Sequence, residues 1–271
     1  MAGGEGVNQA RTENRLPPVH IYQIEILGNT SIQDKFSSTT IRQILCDGLI
    51  GGERDLNELH DDWVTLTRRL SISEQTSFLW WSTLRDLHGL QPWRHYHTLR
   101  HVKELLEAAK SEFGSDIPPD LLLSIWFHDA VYDPRSDQNE ENSISLFDQF
   151  ITGCGEVTQK VDVEAVRLAI SLSVDHRSGL IKELSKELTW IHHFLELDLS
   201  ILGSNEERYR EYTSQIRDEY SFLSDTEFRE GRAKFLRSFA DFRFSNLSPS
   251  AYLNANMIKN LEEELDQLEA R

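Results

Sequence analysis

The sequence predicts an all-α protein, and three features carry that prediction. Apolar residues recur three and four positions apart in segment after segment, the period that places them on one face of a helix. Proline, glycine and short polar residues gather between those segments, where helices start and stop. No section is rich in strand patterns, and no fixed-period repeat occurs.

Taken in order, residues 1–18 are weakly apolar and carry Gly, Asn and Arg, a composition that predicts disorder. The stretch from His20 to Leu27 alternates loosely, as a short strand or an extended arm would. Thr39 to Leu49 reads as a short helix ended by Gly51-Gly52. Residues 1–55 are therefore expected to be an irregular, partly disordered extension, with the folded domain over 56–271. Leu59, Trp63, Leu66 and Leu70 mark the apolar face of the domain's first helix. Ser73-Glu74-Gln75-Thr76 opens a second through Leu87. Pro92 marks a turn before a helix expected to carry His97 and His101. Pro118-Pro119 starts the next, which ends at His128-Asp129, since proline suits a first turn. After a loop at 133–138, helices are expected at about 139–152, 159–174 and 182–195. Tyr209, Tyr212, Ile216 and Tyr220 lie on one face of a segment running from Glu206 to Phe222. A helix follows from about Thr226 to Phe239, and a last one from Ala251 to Leu268. On that last helix Leu253, Met257, Leu261, Leu265 and Leu268 share a side, and Glu262, Glu263 and Glu264 read as a solvated face.

Composition narrows the function classes. A chain of 271 residues with 39% hydrophobic residues suits one large domain plus a tail. Its net charge of −17, from 28 basic and 45 acidic residues, would repel nucleic-acid polymers and anionic membranes, and no dense Lys/Arg cluster offsets it. The only cysteines, Cys46 and Cys154, make no disulfide framework and suit a reducing interior. No apolar stretch has the length of a membrane span, there is no signal-peptide core, and the early acids Glu5 and Glu13 argue against a transit peptide. The expected location is the cytoplasm, with the nucleus as the alternative.

The chemistry lies in two short segments. Tyr96-His97-Thr98-Leu99-Arg100-His101 holds two histidines four apart, which on one helix would project from one face, and Trp126-Phe127-His128-Asp129 closes a strongly apolar run. An aspartate at the end of a buried helix is costly unless paired, and a divalent cation would pair it. Imidazole and carboxylate together suit borderline divalent ions. A further acid is needed, and the apolar stretch Leu195-Glu196-Leu197-Asp198-Leu199 offers Glu196 and Asp198. Each of these residues also has a structural reading, as a hydrogen-bonded core histidine or a solvated acid. The ordered combination favours a metal centre and a hydrolase.

A histidine, then His-Asp, then a distant Asp in a helical chain resembles the HD superfamily of metal-dependent phosphohydrolases, and most closely its uncharacterised predicted-phosphohydrolase branch. The resemblance runs from about Leu56 to Leu268 and rests on Tyr96–His101, Trp126–Asp133, Asn139-Glu140-Glu141-Asn142-Ser143 and Asp198–Gly203. It implies an HD-domain-like helical bundle in which His101, His128, Asp129 and Asp198 hold one or two divalent ions (Mn, Fe, Co, Mg or Zn). The implied reaction is attack of metal-bound hydroxide on a nucleotide or another small phosphate ester, as a phosphomonoesterase or phosphodiesterase. Tyr96-His97-x-x-x-His101 is also similar to the opening motif of cyclic-nucleotide phosphodiesterases, which would make His97 the general acid; Thr98 departs from the Asn usual there. Glu196 stands where Asp is expected, so the choice between Glu196 and Asp198 stays open, with Asp198 the better match.

Other residues are candidates for supporting roles. Glu140 is placed near the ion as a base or orienting group, against the alternative that it and Glu141 only complement a helix start capped by Asp137 or Asn139. His176 is a candidate to line the substrate pocket or to sit at a helix end, and Arg217, with Arg232, to hold a substrate phosphate or to pair with Glu219 or Glu230. His20, His60 and His88 read as surface residues. Two other functions compete: a di-iron oxygenase using His176, His192 or His193, and a non-catalytic binding module. The expected partner is a small phosphorylated substrate; oligomeric state is not legible.

Overall fold

The computed structural model describes residues 52–155, 159–174, 188–246 and 255–270. The expectations for residues 1–51, for His176 and for the start of the 182–195 helix lie outside these residues. All described residues belong to the compact unit Ile41–Arg271. Among them there are helices and no strands: α1 (Glu53–Arg69), α2 (Glu74–Gly89), α3 (Leu99–Phe113), α4 (Pro119–Phe127), α5 (Asn139–Gly153), α6 (Val163–Leu172), α7 (Thr189–Asp198), α8 (Glu206–Glu219), α9 (Asp225–Asn246) and α10 (Ala255–Glu269), with a 3-10 turn at Leu199–Gly203. No described helix is long and apolar enough to cross a membrane.

The punctuation works as the residue types require. Ser73 caps α2 by accepting from Thr76 N at 3.2 Å, Asp162 caps α6 through Ala165 N at 3.1 Å, and Asn205 caps α8 through Arg208 N at 3.0 Å. Pro119 occupies the first turn of α4. Gly114 ends α3 at φ +60°, a conformation that a side chain would strain. Asp137 and Asn139 do not cap α5, which has no side-chain cap; Asn139 instead ties the preceding loop, accepting from Asp133 N and donating to Asp133 O, each at 3.0 Å.

The larger correction concerns His97. It is not helical: Thr98 caps α3, accepting from Arg100 N at 3.3 Å, so His97 stands in the entry turn. His97 and His101 therefore do not share a helix face, although their rings approach edge-on at 5.9 Å.

The nine-residue α4 is the centre of the bundle. Every residue from Leu121 to Phe127 is buried, and α3, α5, α6 and α7 pack around it. Its aromatics join those of α1, α2 and α5: Trp63 meets Trp126 edge-on at 5.5 Å, and Trp80 meets Phe150 at 5.4 Å. The Trp63 indole N–H is satisfied by Ser77 O at 2.9 Å. His88, expected at the surface, is buried, its Nε2 3.2 Å from Trp126 O. A second apolar cluster gathers Ile201, Leu202, Tyr209, Tyr212, Ile216 and Met257 from the 3-10 turn, α8 and α10. Glu264, expected on a solvated face, is buried there with the Arg232 guanidinium and the Tyr209 hydroxyl as its partners.

Trp63→Ala opens a cavity amid Trp126, Phe127 and Phe150 and leaves Ser77 O without its donor. Chemical denaturation is expected to show a loss of about 3–5 kcal/mol.

Candidate metal centre

Three helix ends and one entry turn build the candidate site. His101 lies in the first turn of α3, His128 is the C-cap of α4, Asp129 follows it, and Asp198 is the last residue of α7. The C-terminal ends of α4 and α7 thus meet here, and helix C-termini favour cations. His128 Nδ1 donates to Ile125 O at 3.1 Å, which turns its Nε2 toward the cluster.

The donor atoms of His101, His128 and Asp198 lie close enough together to hold a single ion. His101 Nε2, His128 Nε2 and Asp198 Oδ1 lie 3.3, 3.2 and 3.5 Å apart pairwise. Asp129 Oδ2 is 3.1 Å from His128 Nε2 and 3.8 Å from His101 Nε2. Ligands bonded at about 2.0–2.2 Å in octahedral or tetrahedral arrangement stand roughly 3.0–3.5 Å from one another. That donor set, two imidazoles and one carboxylate with the Asp129 carboxylate beside it, suits Mn, Fe, Co, Mg or Zn. Of Glu196 and Asp198, Asp198 joins the cluster.

The electrostatics point the same way. Burial resists a charge on His128, but the Asp129 and Asp198 carboxylates outweigh it and raise its pKa well above the ordinary value. Burial likewise resists ionisation of Asp129, yet His128 and His97 hold its carboxyl far below the usual range. The site favours positive charge at its middle, and a bound cation would answer that demand in place of a proton.

Beside the cluster, His97 Nε2 lies 4.0 Å from Asp129 Oδ2. Its other nitrogen is held by Glu219: a carboxylate only accepts, so His97 Nδ1–H donates to Glu219 Oε2 at 2.7 Å. Glu219 Oε1 also accepts from the backbone N–H groups of His95, Tyr96 and His97, at 2.9, 2.8 and 3.0 Å, and Oε2 from the Tyr132 hydroxyl at 2.8 Å. Burial opposes the charged His97 imidazole, but Glu219 and Asp129 raise its pKa. Burial also opposes the Glu219 carboxylate, but His97 and the backbone donors hold it down to about 2.

Arg94 is the second brace. Its buried guanidinium donates to His97 O and Asp129 O at 2.8 Å and Ala130 O at 2.9 Å, and Nε to Gln91 Oε1 at 2.6 Å. One side chain thus ties the turn bearing His97 to the turn bearing Asp129. Burial lowers its pKa to about 10, against the Asp129 and Glu219 carboxylates. Neither Arg94 nor Glu219 was legible as a site residue. A buried arginine bonding carbonyls leaves no spacing signature, and Glu219 is over a hundred positions from the turn it holds.

A cavity of about 610 Å³ opens beside the cluster, lined by His97, Asp129 and Asp198 among others, a size typical of small-molecule sites. Glu140, in the first turn of α5, lines it too; burial and then Asp129 raise its pKa. Arg217 is committed elsewhere: it donates to Tyr220 O at 2.9 Å, Leu223 O at 3.2 Å and Asp225 Oδ1 at 2.8 Å, and does not pair with Glu219. Arg232 does line the cavity. On α7, His193 pairs with Glu112 near the far end of α3 from His101.

No protein-family model, no curated protein and no solved structure matches this chain.

Glu219 supplies the pH test of this arrangement. A carboxyl lowered from 4.5 to about 2 in the fold contributes stability that is present above pH 4.5 and lost as the pH falls through about 2. Acid unfolding of the wild type should therefore steepen across that window relative to Glu219→Gln; parallel curves would show that Glu219 carries no proton-linked stability.

Proposed function

We propose that this chain is a metal-dependent phosphohydrolase of the HD type, acting on a nucleotide or another small phosphate ester. One observation carries the reading: His101, His128 and Asp198, from distant segments, converge closely enough to hold an ion, with Asp129 beside them, and Asp129 and Asp198 open onto a cavity of about 610 Å³. His101, His128, Asp129 and Asp198 would hold the ion. When bound, the ion supplies a Lewis acid that lowers the pKa of coordinated water and offsets phosphoryl charge.

The remaining chemistry belongs to the protein. His97 presents Nε2 to the cavity while Nδ1–H stays on Glu219, so the ring cannot turn without breaking a charge-assisted hydrogen bond. With Nδ1–H on Glu219, Nε2 is the nitrogen that would carry a proton to the leaving alcohol oxygen, the role of a general acid, and the Glu219 and Asp129 carboxylates favour the protonated ring. Arg94 and Glu219 fix the relative position of that proton and of Asp129. Glu140, which lines the same cavity and has a raised pKa, would accept a proton from the attacking water.

The protein as purified, supplied with Mn, is expected to bind metal and release phosphate from at least one member of a nucleotide and sugar-phosphate panel. His128→Ala and Asp129→Ala should lose both metal and activity while staying folded. His97→Asn should keep its metal and lose about 10²–10⁴-fold in kcat. Stoichiometric metal in folded His128→Ala would overturn the ligand assignment, and metal without phosphate release across the panel would overturn the hydrolase.

A further inference from the structure

Beyond the donor cluster, the cavity wall changes character. The 3-10 turn, α8, the residues after it and α9 line it with Leu202, Ile216, Tyr220, Leu223 and Phe228, and with one cation, Arg232. That guanidinium is held on two sides. Nε donates to Glu264 Oε1 at 2.8 Å, and Nη2 lies 3.2 Å from both Glu264 Oε2 and the Tyr212 hydroxyl. Its Cζ stands 5.2 Å from the Tyr212 ring and 5.3 Å from the Phe235 ring. Among the described residues nothing accepts from Nη1.

A guanidinium fixed this way is a preorganised donor, with little rotamer freedom left to lose on binding. Glu264 offsets its charge, so Arg232 suits one neutral or weakly charged acceptor better than a chain of phosphates. Three successive contacts, of 4.9, 4.7 and 5.2 Å, link His101 to Arg232 through Tyr96 and Tyr212. Arg232 also lines the same cavity as Asp129 and Asp198, so one ligand in that cavity can meet both ends. Building on the hydrolase reading, we infer that the substrate is a phosphate monoester whose alcohol portion carries a flat ring with a carbonyl-type acceptor. The phosphate sits at the His101–Asp198 cluster, the ring lies against Tyr220 and Phe228, and the acceptor takes the Arg232 Nη1 hydrogen.

Phosphonates test this without turnover, because their C–P bond is not cleaved. The Mn-loaded full chain is titrated calorimetrically with methylphosphonate, benzylphosphonate and 4-carbamoylbenzylphosphonate. The ring should tighten binding about tenfold over methylphosphonate, by removing apolar surface from water, and the carboxamide about fivefold more. Phe228→Ala should shrink the first gain. Arg232→Lys, which keeps a cation beside Glu264 but loses the fork, should abolish the second gain alone, with metal content and methylphosphonate affinity unchanged. If Arg232→Lys shifts all three affinities together, or only the melting temperature, Arg232 is a strut between α9 and α10 and the inference falls. Methylphosphonate that binds with no gain from the ring overturns this inference and leaves the hydrolase standing. A metal-loaded protein that binds none of the three overturns both.

Discussion

A buried carboxylate has to find partners, and the way Glu219 finds them organises the described site. At the last residue of α8 it collects three consecutive backbone N–H groups, an imidazole N–H and a phenol. Leaving such a group unpaired would cost several kcal/mol. The turn from His95 to His97 is consequently locked to α8, and α3 can begin only at Leu99. His97 is held beside Asp129 by this arrangement and not by helical periodicity. Arg94 completes the lock from the other side, satisfying carbonyls of the two turns that would otherwise be buried without donors. The two residues act as complementary clamps, one on N–H groups and one on carbonyls.

The donor cluster depends on a second constraint, the burial of α4. A nine-residue helix that is apolar on all sides is stable only when surrounded, and α3, α5, α6 and α7 supply the surround. Its C-terminus, with His128 and Asp129, therefore emerges inside the bundle, where the ends of α7 and α3 bring Asp198 and His101. Four groups that would repel or stay hydrated in an unfolded chain are thereby held together, and their mutual field favours a cation among them. The aromatic packing of Trp63, Trp80, Trp126 and Phe150 around α4 keeps that end from shifting.

Much of this was legible in residue patterns because it is local. Helix order from α1 to α10 follows from apolar spacing and from signals such as Ser73 and Pro119, whose effects act within a turn; the caps Asp162 and Asn205 were not read from the sequence. His101, His128, Asp129 and the pair Glu196 and Asp198 were legible as candidates through chemical type and order, and the set of four was what the family resemblance implied. His97 was legible as a site candidate but misplaced on a helix face, because no local pattern reports that Glu219 pulls the preceding turn out of helical geometry. His88 and Glu264 were misplaced at the surface for a related reason: their burial is tolerated through Trp126 O and through Arg232, partners 38 and 32 positions away.

By itself the sequence determined the all-α class, the approximate helix boundaries and the residue types available for binding a cation, since these follow from periodicity, capping and ligand chemistry. Only the tertiary structure decided which of those residues meet. It put Asp198 rather than Glu196 in the cluster, committed Arg217 to carbonyls and Asp225, and left Arg232 on the cavity wall. The physical reason is that a hydrogen bond or an ion pair is decided by distances of about three ångströms. Such distances between residues far apart in the chain are set by packing, and no spacing along the sequence records them.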